Sequence, residues 1–289
     1  MQKRCGSEEL LLLHSIPSAA INMCVSNCGS SMESLAVQDE EGAGGCKGAI
    51  FSVSAMREVL HASCLLRKAT AELIGTFVVV LASCAGSMAA AQENGYGVEH
   101  SAAIAVGSGM AVTLMVWTLA PISAAHLNPA VTLGFAGAGL FSWQEVGAYI
   151  FSQIIGALLA SLSLQVIVHD PALFSTAVNQ PLHHHSASIM MEFVATFILM
   201  LINMKVACGL GESGEFGGSF MIGLTVALLG YYGRSLCGGL SMNPARSLGP
   251  ALVAMNFKNL YLFIIGPIAG AMLSGLTYTR IKPTKNESM

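Results

Sequence analysis

Charged side chains are scarce in this sequence. Only 10% of its 289 residues are Asp, Glu, Lys or Arg, while 54% are hydrophobic. A soluble domain carries about 25% charged residues, so this chain lacks the polar surface that a soluble body of its size requires. The net charge of −3 is small, which argues against a nucleic acid or another polyanion as a partner. The composition predicts a protein that lies in a lipid bilayer.

The eight cysteines are scattered and form no pattern that binds a metal. Cys24 and Cys28 are close in sequence, but no second pair of Cys or His lies near them, so neither a zinc site nor a disulfide framework is expected. The sequence also lacks a nucleophile–base pair and a phosphate-binding loop. We therefore expect no metal, no cofactor and no enzymatic activity.

The two ends of the chain differ from the part between them. Residues 1–67 are rich in Ser, Gly and isolated charges, which predicts a disordered cytoplasmic tail. The apolar residues 10–13 follow Lys3 and Arg4 and faintly imitate a signal peptide, but they are too few and lack a clean cleavage region. Residues 68–281 form the predicted membrane domain, and residues 282–289 form a short cytoplasmic C-terminal tail.

Long apolar runs dominate the membrane domain. A helix needs about 20 apolar residues to cross a bilayer, and six segments meet this length: about 69–91, 101–121, 143–168, 188–208, 217–236 and 259–280. Two further apolar segments, 128–139 and 243–254, have about half this length. Short helices at membrane depth are tolerated where protein buries them or water reaches them. The pattern therefore predicts an internal, water-lined route.

The membrane domain contains an internal repeat. Residues 71–77 match residues 191–197, and an Asn-Pro-Ala sequence opens both short segments. The first repeat covers residues 68–168 and the second covers residues 188–281. Each holds three spans, so the second enters the membrane from the opposite side. We expect an inverted repeat with its functional site near the bilayer midplane, where the two halves meet.

The Asn-Pro-Ala sequences have a direct physical interpretation. Asn is a favoured helix cap, and Pro at the first helical position costs no hydrogen bond. If the two short helices meet end to end, their positive N-terminal ends converge and repel cations. The Asn amides can then donate to the oxygen of a passing water, which interrupts proton hopping. The predicted pore centre consists of Asn128, Pro129, Ala130, Asn243, Pro244 and Ala245.

Residues 126–132 and 241–250 resemble the two signature loops of the aquaporin, or major intrinsic protein, family, and the second loop is most similar to that of the plant nodulin-26-like branch. The resemblance covers about 69–280. It implies an all-α membrane protein with six spans and two re-entrant half-helices in two inverted repeats. It also implies a passive channel that carries water and small neutral solutes, excludes protons and ions, lies in membrane lipid and assembles as a homotetramer. We expect the plasma membrane as its location.

The family narrows its pore at four positions, which by resemblance are Ser108, Tyr231, Leu240 and Arg246. An arginine inside a membrane is costly and usually functional, and Arg246 is expected to donate to solute oxygens. Ser108 stands where water-selective members carry an aromatic ring, so it widens the opening. Tyr231 is larger than the usual residue of solute channels, so it is expected to narrow the opening. The sequence favours metalloid acids (boric, silicic or arsenous acid) or glycerol as solutes, with a water-selective channel as the alternative.

Two carboxylates occupy equivalent positions in the repeats. Glu72 and Glu192 are each expected to accept hydrogen bonds from the adjacent re-entrant loop, because lipid cannot satisfy its backbone N–H groups. His126 resembles a residue that braces this loop in the family. A proton relay or a catalytic pair is the alternative for the two carboxylates. A secondary transporter, which also uses inverted repeats and broken helices, remains the alternative for the whole protein.

The basic residues predict the orientation. They cluster before the first span, at the end of the fourth and after the sixth, whereas the loops 92–100 and 169–187 contain no Lys or Arg. Both termini are therefore expected in the cytoplasm, although Arg234 and Lys258 lie on the other side. Residues 183–185 are consecutive histidines, which can bind a metal or titrate near neutral pH, but a solvated loop is the simpler interpretation.

Overall fold

The computed structural model describes residues 53–93, 97–181, 184–208, 210–237 and 239–281. Within these ranges the chain forms helices and no strand: α1 (Val53–Gln92), α2 (Val98–Ser123), α3 (Pro129–Gly137), α4 (Trp143–Val168), α5 (Pro171–Ser175), α6 (His185–Cys208), α7 (Leu210–Cys237), α8 (Pro244–Val253) and α9 (Leu262–Ile281). The chain divides into two compact units, Met1–Leu66 and Arg67–Met289. All features of the pore lie in the second unit. Most of the predicted N-terminal tail, and all of the C-terminal tail, lie outside the described residues.

Six of the described helices are long and apolar enough to cross a membrane, namely α1, α2, α4, α6, α7 and α9. The predicted all-α fold with six spans is therefore confirmed. The first helix begins at Val53, well before the predicted span of 69–91, because the added residues include the good helix formers Ala, Met, Arg, Glu and Leu. The short helix α5 was not predicted, although Asp170 followed by Pro171 is a helix-start signal.

The two half-helices begin in the same way. Asn128 caps α3 through its side-chain oxygen, which accepts from the backbone N–H of Ala130 at 2.9 Å. Asn243 caps α8 and accepts from the backbone N–H of Ala245 at 3.0 Å. In both helices proline fills the first position, where its missing N–H costs nothing. The predicted half-helices thus form from their own local sequence.

Each half-helix packs against spans of the other repeat. Residues of α3 form one buried apolar cluster with Met200 and Met204 of α6 and Ala271 of α9. Ala245 of α8 forms another with residues of α1 and α4, among them Val80 and Ala157. The repeats are therefore interlocked, and neither half can bury its own half-helix alone.

Glycine permits the close helix crossings that hold this frame. A Cβ added at Gly156 of α4 would collide with the backbone oxygen of Leu73 in α1. A Cβ added at Gly270 of α9 would collide with the backbone oxygen of Phe193 in α6. The two crossings are equivalent in the two repeats, and small residues at such contacts are the usual means by which helices pack in lipid.

Candidate functional site

The two Asn-Pro-Ala sequences meet at the centre of the molecule. The side-chain nitrogen of Asn128 donates to the backbone oxygen of Met242 at 2.7 Å, and that of Asn243 donates to the backbone oxygen of Leu127 at 2.9 Å. Leu127 and Met242 have nearly equal positive φ values of 52° and 54°. The N-terminal ends of α3 and α8 therefore face each other. Each amide nitrogen carries two hydrogens and uses one in this bond. The second hydrogen can donate to a solute.

Glu72 holds the first re-entrant loop from the side. Its carboxylate is fully buried and accepts from the backbone N–H of His126 at 2.9 Å and of Leu127 at 2.7 Å. It also accepts from the hydroxyl of Ser123 and from the side-chain amide of Gln153, each at 2.7 Å. These bonds satisfy loop N–H groups that have no water or lipid partner at this depth.

Glu192 makes the equivalent contacts in the second repeat. Its two oxygens accept from the backbone N–H of Ser241 at 2.6 Å and of Met242 at 2.8 Å. Glu192 is 1% exposed, and neither Glu72 nor Glu192 lines the cavities described below. The contacts are those expected of residues that brace the loops.

His126 lies in a cluster of rings beside the first loop. It stacks on Phe135 at a centroid distance of 4.8 Å and contacts Phe141 at 4.7 Å and Tyr149 at 5.2 Å. Its Nδ1 lies 3.2 Å from the hydroxyl of Thr132 in α3. Contacts on several sides fix the ring in place, as expected of a bracing residue.

Three adjoining cavities trace a route through the molecule. The first, here called the arginine chamber, has a volume of about 390 Å³ and includes Ser108, Gly230 and Arg246 in its wall. The second, the central cavity, measures about 70 Å³ and is lined by both Asn128 and Asn243. The third, here called the aromatic chamber, measures about 370 Å³ and is lined by rings that include Trp117, Phe135 and Phe141. The smallest of these three cavities lies at the convergent half-helices.

Arg246 stands between the arginine chamber and the central cavity and lines both. The side chain is 7% exposed. Its Nε donates to the hydroxyl of Ser83 at 3.2 Å, and its Nη1 donates to the backbone oxygen of Ala177 at 3.2 Å and to the side-chain oxygen of Asn179. Fixed acceptors on two sides hold the guanidinium group in one orientation toward the route.

The structure brings together three of the four predicted filter residues. Ser108 and Arg246 line both the central cavity and the arginine chamber, and Leu240 lines the chamber. Tyr231 does not appear in either wall; α7 presents Val226 and Gly230 to the chamber. Val226 and Gly230 are four residues apart and therefore share one face of α7. Tyr231, the next residue, lies off that face, and its ring contacts that of Tyr232 at a centroid distance of 5.3 Å.

Sequence reasoning missed two groups at the site. Asn179 belongs to the connection between α5 and α6, and nothing in its local sequence points toward an arginine 67 residues away. Gly230 was missed because the family resemblance assigned its neighbour, Tyr231, to the filter. Of the three histidines at 183–185, His183 lies outside the described residues, and Nδ1 of His185 lies 3.2 Å from the hydroxyl of Tyr261.

Several known proteins are similar to this chain. The family model described as major intrinsic protein matches residues 59–278. Aquaporin NIP2-1 of Oryza sativa subsp. japonica is 34% identical over 220 residues, which cover 75% of this chain and 71% of the rice protein. The probable aquaporin NIP-type of Nicotiana alata is 36% identical over 222 residues, covering 76% and 79%. Putative aquaporin NIP4-1 of Arabidopsis thaliana is 36% identical over 241 residues, covering 83% and 82%.

A solved structure shares the fold. The aquaglyceroporin from Plasmodium falciparum superposes with a TM-score of 0.67 and covers 75% of this chain and 96% of its own. The two sequences are 22% identical, so this match concerns the fold. The predicted likeness to the nodulin-26-like branch is confirmed by the plant relatives, which carry the NIP designation.

Proposed function

Because this chain belongs to the major intrinsic protein family, we propose that it passes small uncharged polyhydroxy solutes, such as metalloid acids or glycerol, together with water. The protein is an integral, multi-pass membrane channel for water and small neutral solutes. The proposal concerns which of these solutes it favours.

The observation that carries the proposal is the small side chains at the approach to Arg246. Ser108 on α2 and Gly230 on α7 both line the arginine chamber. A serine and a glycine leave space that two larger side chains would fill. The chief objection from the sequence was that the ring of Tyr231 refills the space left by Ser108. In the chamber wall α7 contributes Val226 and Gly230 rather than Tyr231, which supports the proposal against this objection.

The polar groups along the route suit a solute with several hydroxyls. Arg246 supplies charged donors at the entrance to the central cavity, and Asn128 and Asn243 each supply a second amide hydrogen within it. Bonds from a charged donor are about twice as strong as neutral ones. The rest of the central wall includes apolar side chains such as Val112, Val116 and Ile222. An uncharged solute can exchange its hydration for these donors, whereas an ion cannot.

A secondary transporter is the rival function from another class. It would couple solute to an ion through acids that face a cavity. Among the described residues the intramembrane carboxylates Glu72 and Glu192 instead accept hydrogen bonds from the re-entrant loops and face no cavity of the route. The same contacts speak against a catalytic pair. The geometry favours a passive channel.

Further features of the family complete the proposal. We propose a homotetramer with one pore in each subunit, both termini in the cytoplasm and residence in the plasma membrane. The spans expose apolar side chains, for example Phe151, Ile167 and Leu228, which suit contact with lipid and with neighbouring subunits.

The test is a series of permeability measurements on proteoliposomes. Stopped-flow light scattering would compare water, glycerol, urea, boric acid and arsenous acid between liposomes with and without the protein. We expect boric acid, arsenous acid or glycerol to enter faster with the protein, independently of any proton or sodium gradient. Water transport without any of these three solutes would refute the proposal and leave a water-selective channel. Flux that required an ion gradient would support the transporter.

A further inference from the structure

A second arginine lines the route to the filter. Arg234 lies near the end of α7, where its side chain belongs to the wall of the arginine chamber. Its Nη2 donates to the hydroxyl of Ser87 on α1 at 3.0 Å. Neither the sequence motifs nor the proposed solute pathway assigns a role to Arg234.

The two arginines are anchored on the same face of one helix. Arg246 donates to the hydroxyl of Ser83, and Arg234 donates to that of Ser87. The two serines are four residues apart, and the hydroxyl of Ser87 also donates to the backbone oxygen of Ser83 at 3.2 Å. One turn of helix rises about 5.4 Å. The two guanidinium groups are therefore docked on successive turns of α1 and lie along one wall of one chamber.

The chamber around them contains no opposing charge among its described lining residues. That lining includes hydroxyl and amide groups, among them Ser108, Thr176, Asn179 and Gln180, but no Asp or Glu.

We propose that the arginine chamber is a binding site for a small tetrahedral oxyanion, held between Arg234 and Arg246. Guanidinium groups are the preferred partners of such anions, because their planar forks donate paired, charge-assisted hydrogen bonds. The chamber volume of about 390 Å³ far exceeds the ~10–15 Å³ that a single water requires, so a partly hydrated ion has ample space.

The bound anion stays in the chamber. The next cavity measures only about 70 Å³ and offers too few donors to replace the hydration of a charge. An anion at this position therefore occupies the mouth of the narrow route and slows the passage of water and neutral solutes. The inference concerns the anion alone and does not depend on which neutral solute the channel favours.

The experiment uses sulfate as the probe and has two readouts. Calorimetric titration of the purified full-length protein in detergent measures binding. Osmotic water permeability of proteoliposomes, with sulfate at equal concentration on both sides and chloride of matched ionic strength as reference, measures the block. Equal concentrations make the result independent of the direction of insertion. We expect saturable binding, a saturable loss of permeability, and loss of both in Arg234→Gln, with partial recovery in Arg234→Lys.

Lys258→Gln is the matched control. Lys258 is exposed in the connection between α8 and α9 and does not line the chamber, so its removal changes the net charge equally and is expected to leave sulfate binding unchanged. No saturable binding by the wild type, equal binding by Arg234→Gln, or equal losses in Arg234→Gln and Lys258→Gln would each overturn the proposal.

A further variant covers the case in which Arg234→Gln does not fold. Ser87→Ala removes only the hydroxyl that anchors Arg234 and is expected to weaken sulfate binding several-fold, while unchanged binding overturns the proposal. Calorimetry measures sulfate binding independently of water transport, so the anion site and the channel function are tested separately. Sulfate binding without water transport would contradict the channel but not the anion site.

Discussion

At the scale of single residues, the character of the pore depends on which side chains the fold holds at its wall. Arg246 is held by Ser83 on one side and by Ala177 and Asn179 on the other, so its donors cannot swing away from the route. Ser108 and Gly230, which carries no side chain, line the same chamber. Under the proposed function, this fixed cation donates to solute oxygens while its small neighbours leave the passage open.

The wall at Gly230 provides the first prediction. Gly230→Val should reduce the flux of boric acid and glycerol several-fold and affect water less, because the added side chain enters the arginine chamber. A Cβ at Gly230 meets only Ala105, with its nearest atom at 3.8 Å, so the helix tolerates the change. Tyr231→Gly should leave solute selectivity unchanged. Stopped-flow solute uptake by proteoliposomes measures both effects.

Gly147→Val is the control for this pair, because Gly147 lies exposed on α4 and an added Cβ meets no atom within 4 Å. It introduces the same β-branched residue into a helix without touching the route. A gain of solute flux in Tyr231→Gly, with Gly230→Val behaving as wild type, would return Tyr231 to the filter.

The convergent half-helices provide the second prediction. Asn128→Asp replaces an amide donor with a carboxylate where two positive helix ends meet, which lowers the barrier to cations. We expect a cation current that the wild type lacks, measured by voltage clamp or by a potassium-dependent dye in proteoliposomes. Asn256→Asp, in the connection between α8 and α9, is the matched control. Retained water flux without any cation current would argue against this account of the pore centre.

At the scale of the elements, the half-helices are shaped by two kinds of interaction. Their starts are local, because Asn and Pro supply the cap and the first residue. Their positions are not local, because the loops before them run through non-helical backbone at membrane depth. Glu72 and Glu192 supply the acceptors that this backbone requires. The carboxylates therefore fix the positions of the two loops.

Glu72→Gln is the prediction that tests this role. Each carboxylate oxygen of Glu72 accepts from a donor on the loop, and the amide nitrogen of Gln cannot accept. At least one buried N–H loses its partner, which costs about 1–3 kcal/mol. We expect a lower thermal unfolding midpoint in detergent. The exposed Glu99→Gln, in the first turn of α2, should change it little, and an unfolding midpoint of Glu72→Gln equal to that of wild type would contradict the role.

At the scale of the whole molecule, the repeats depend on each other. The half-helix α3 packs on α6 and α9, while α8 packs on α1 and α4. The central hydrogen bonds also cross between repeats, from Asn128 to Met242 and from Asn243 to Leu127. Such crossed packing makes the pore a property of the assembled pair of repeats.

The orientation of this assembly in the membrane is the last prediction. Basic residues cluster at the side where both termini are expected, and short basic segments remain in the cytoplasm. An epitope inserted at residue 286 should be labelled by antibody only after cells are permeabilised. An epitope in the connection around residue 180 should be labelled in intact cells. Labelling of residue 286 in intact cells would reverse the assigned topology.

The sequence by itself determined the class of the protein and its six spans, and it predicted the pore centre. Span length, the Asn and Pro at a helix start, and the repeat are properties of contiguous residues, so Asn128 and Asn243 could be predicted from them, whereas Ser108 and Arg246 were assigned through the family resemblance. Only the tertiary structure shows that Gly230 lines the chamber, that Asn179 accepts a hydrogen bond from Arg246, and that Arg234 lies in the wall of the same chamber. A membrane helix is apolar toward lipid and toward its neighbours, so its sequence carries no stripe that reveals its rotation. The rotation of α7 is set by its packing against α2. Asn179 reaches Arg246 because a loop that is distant in sequence folds back onto it.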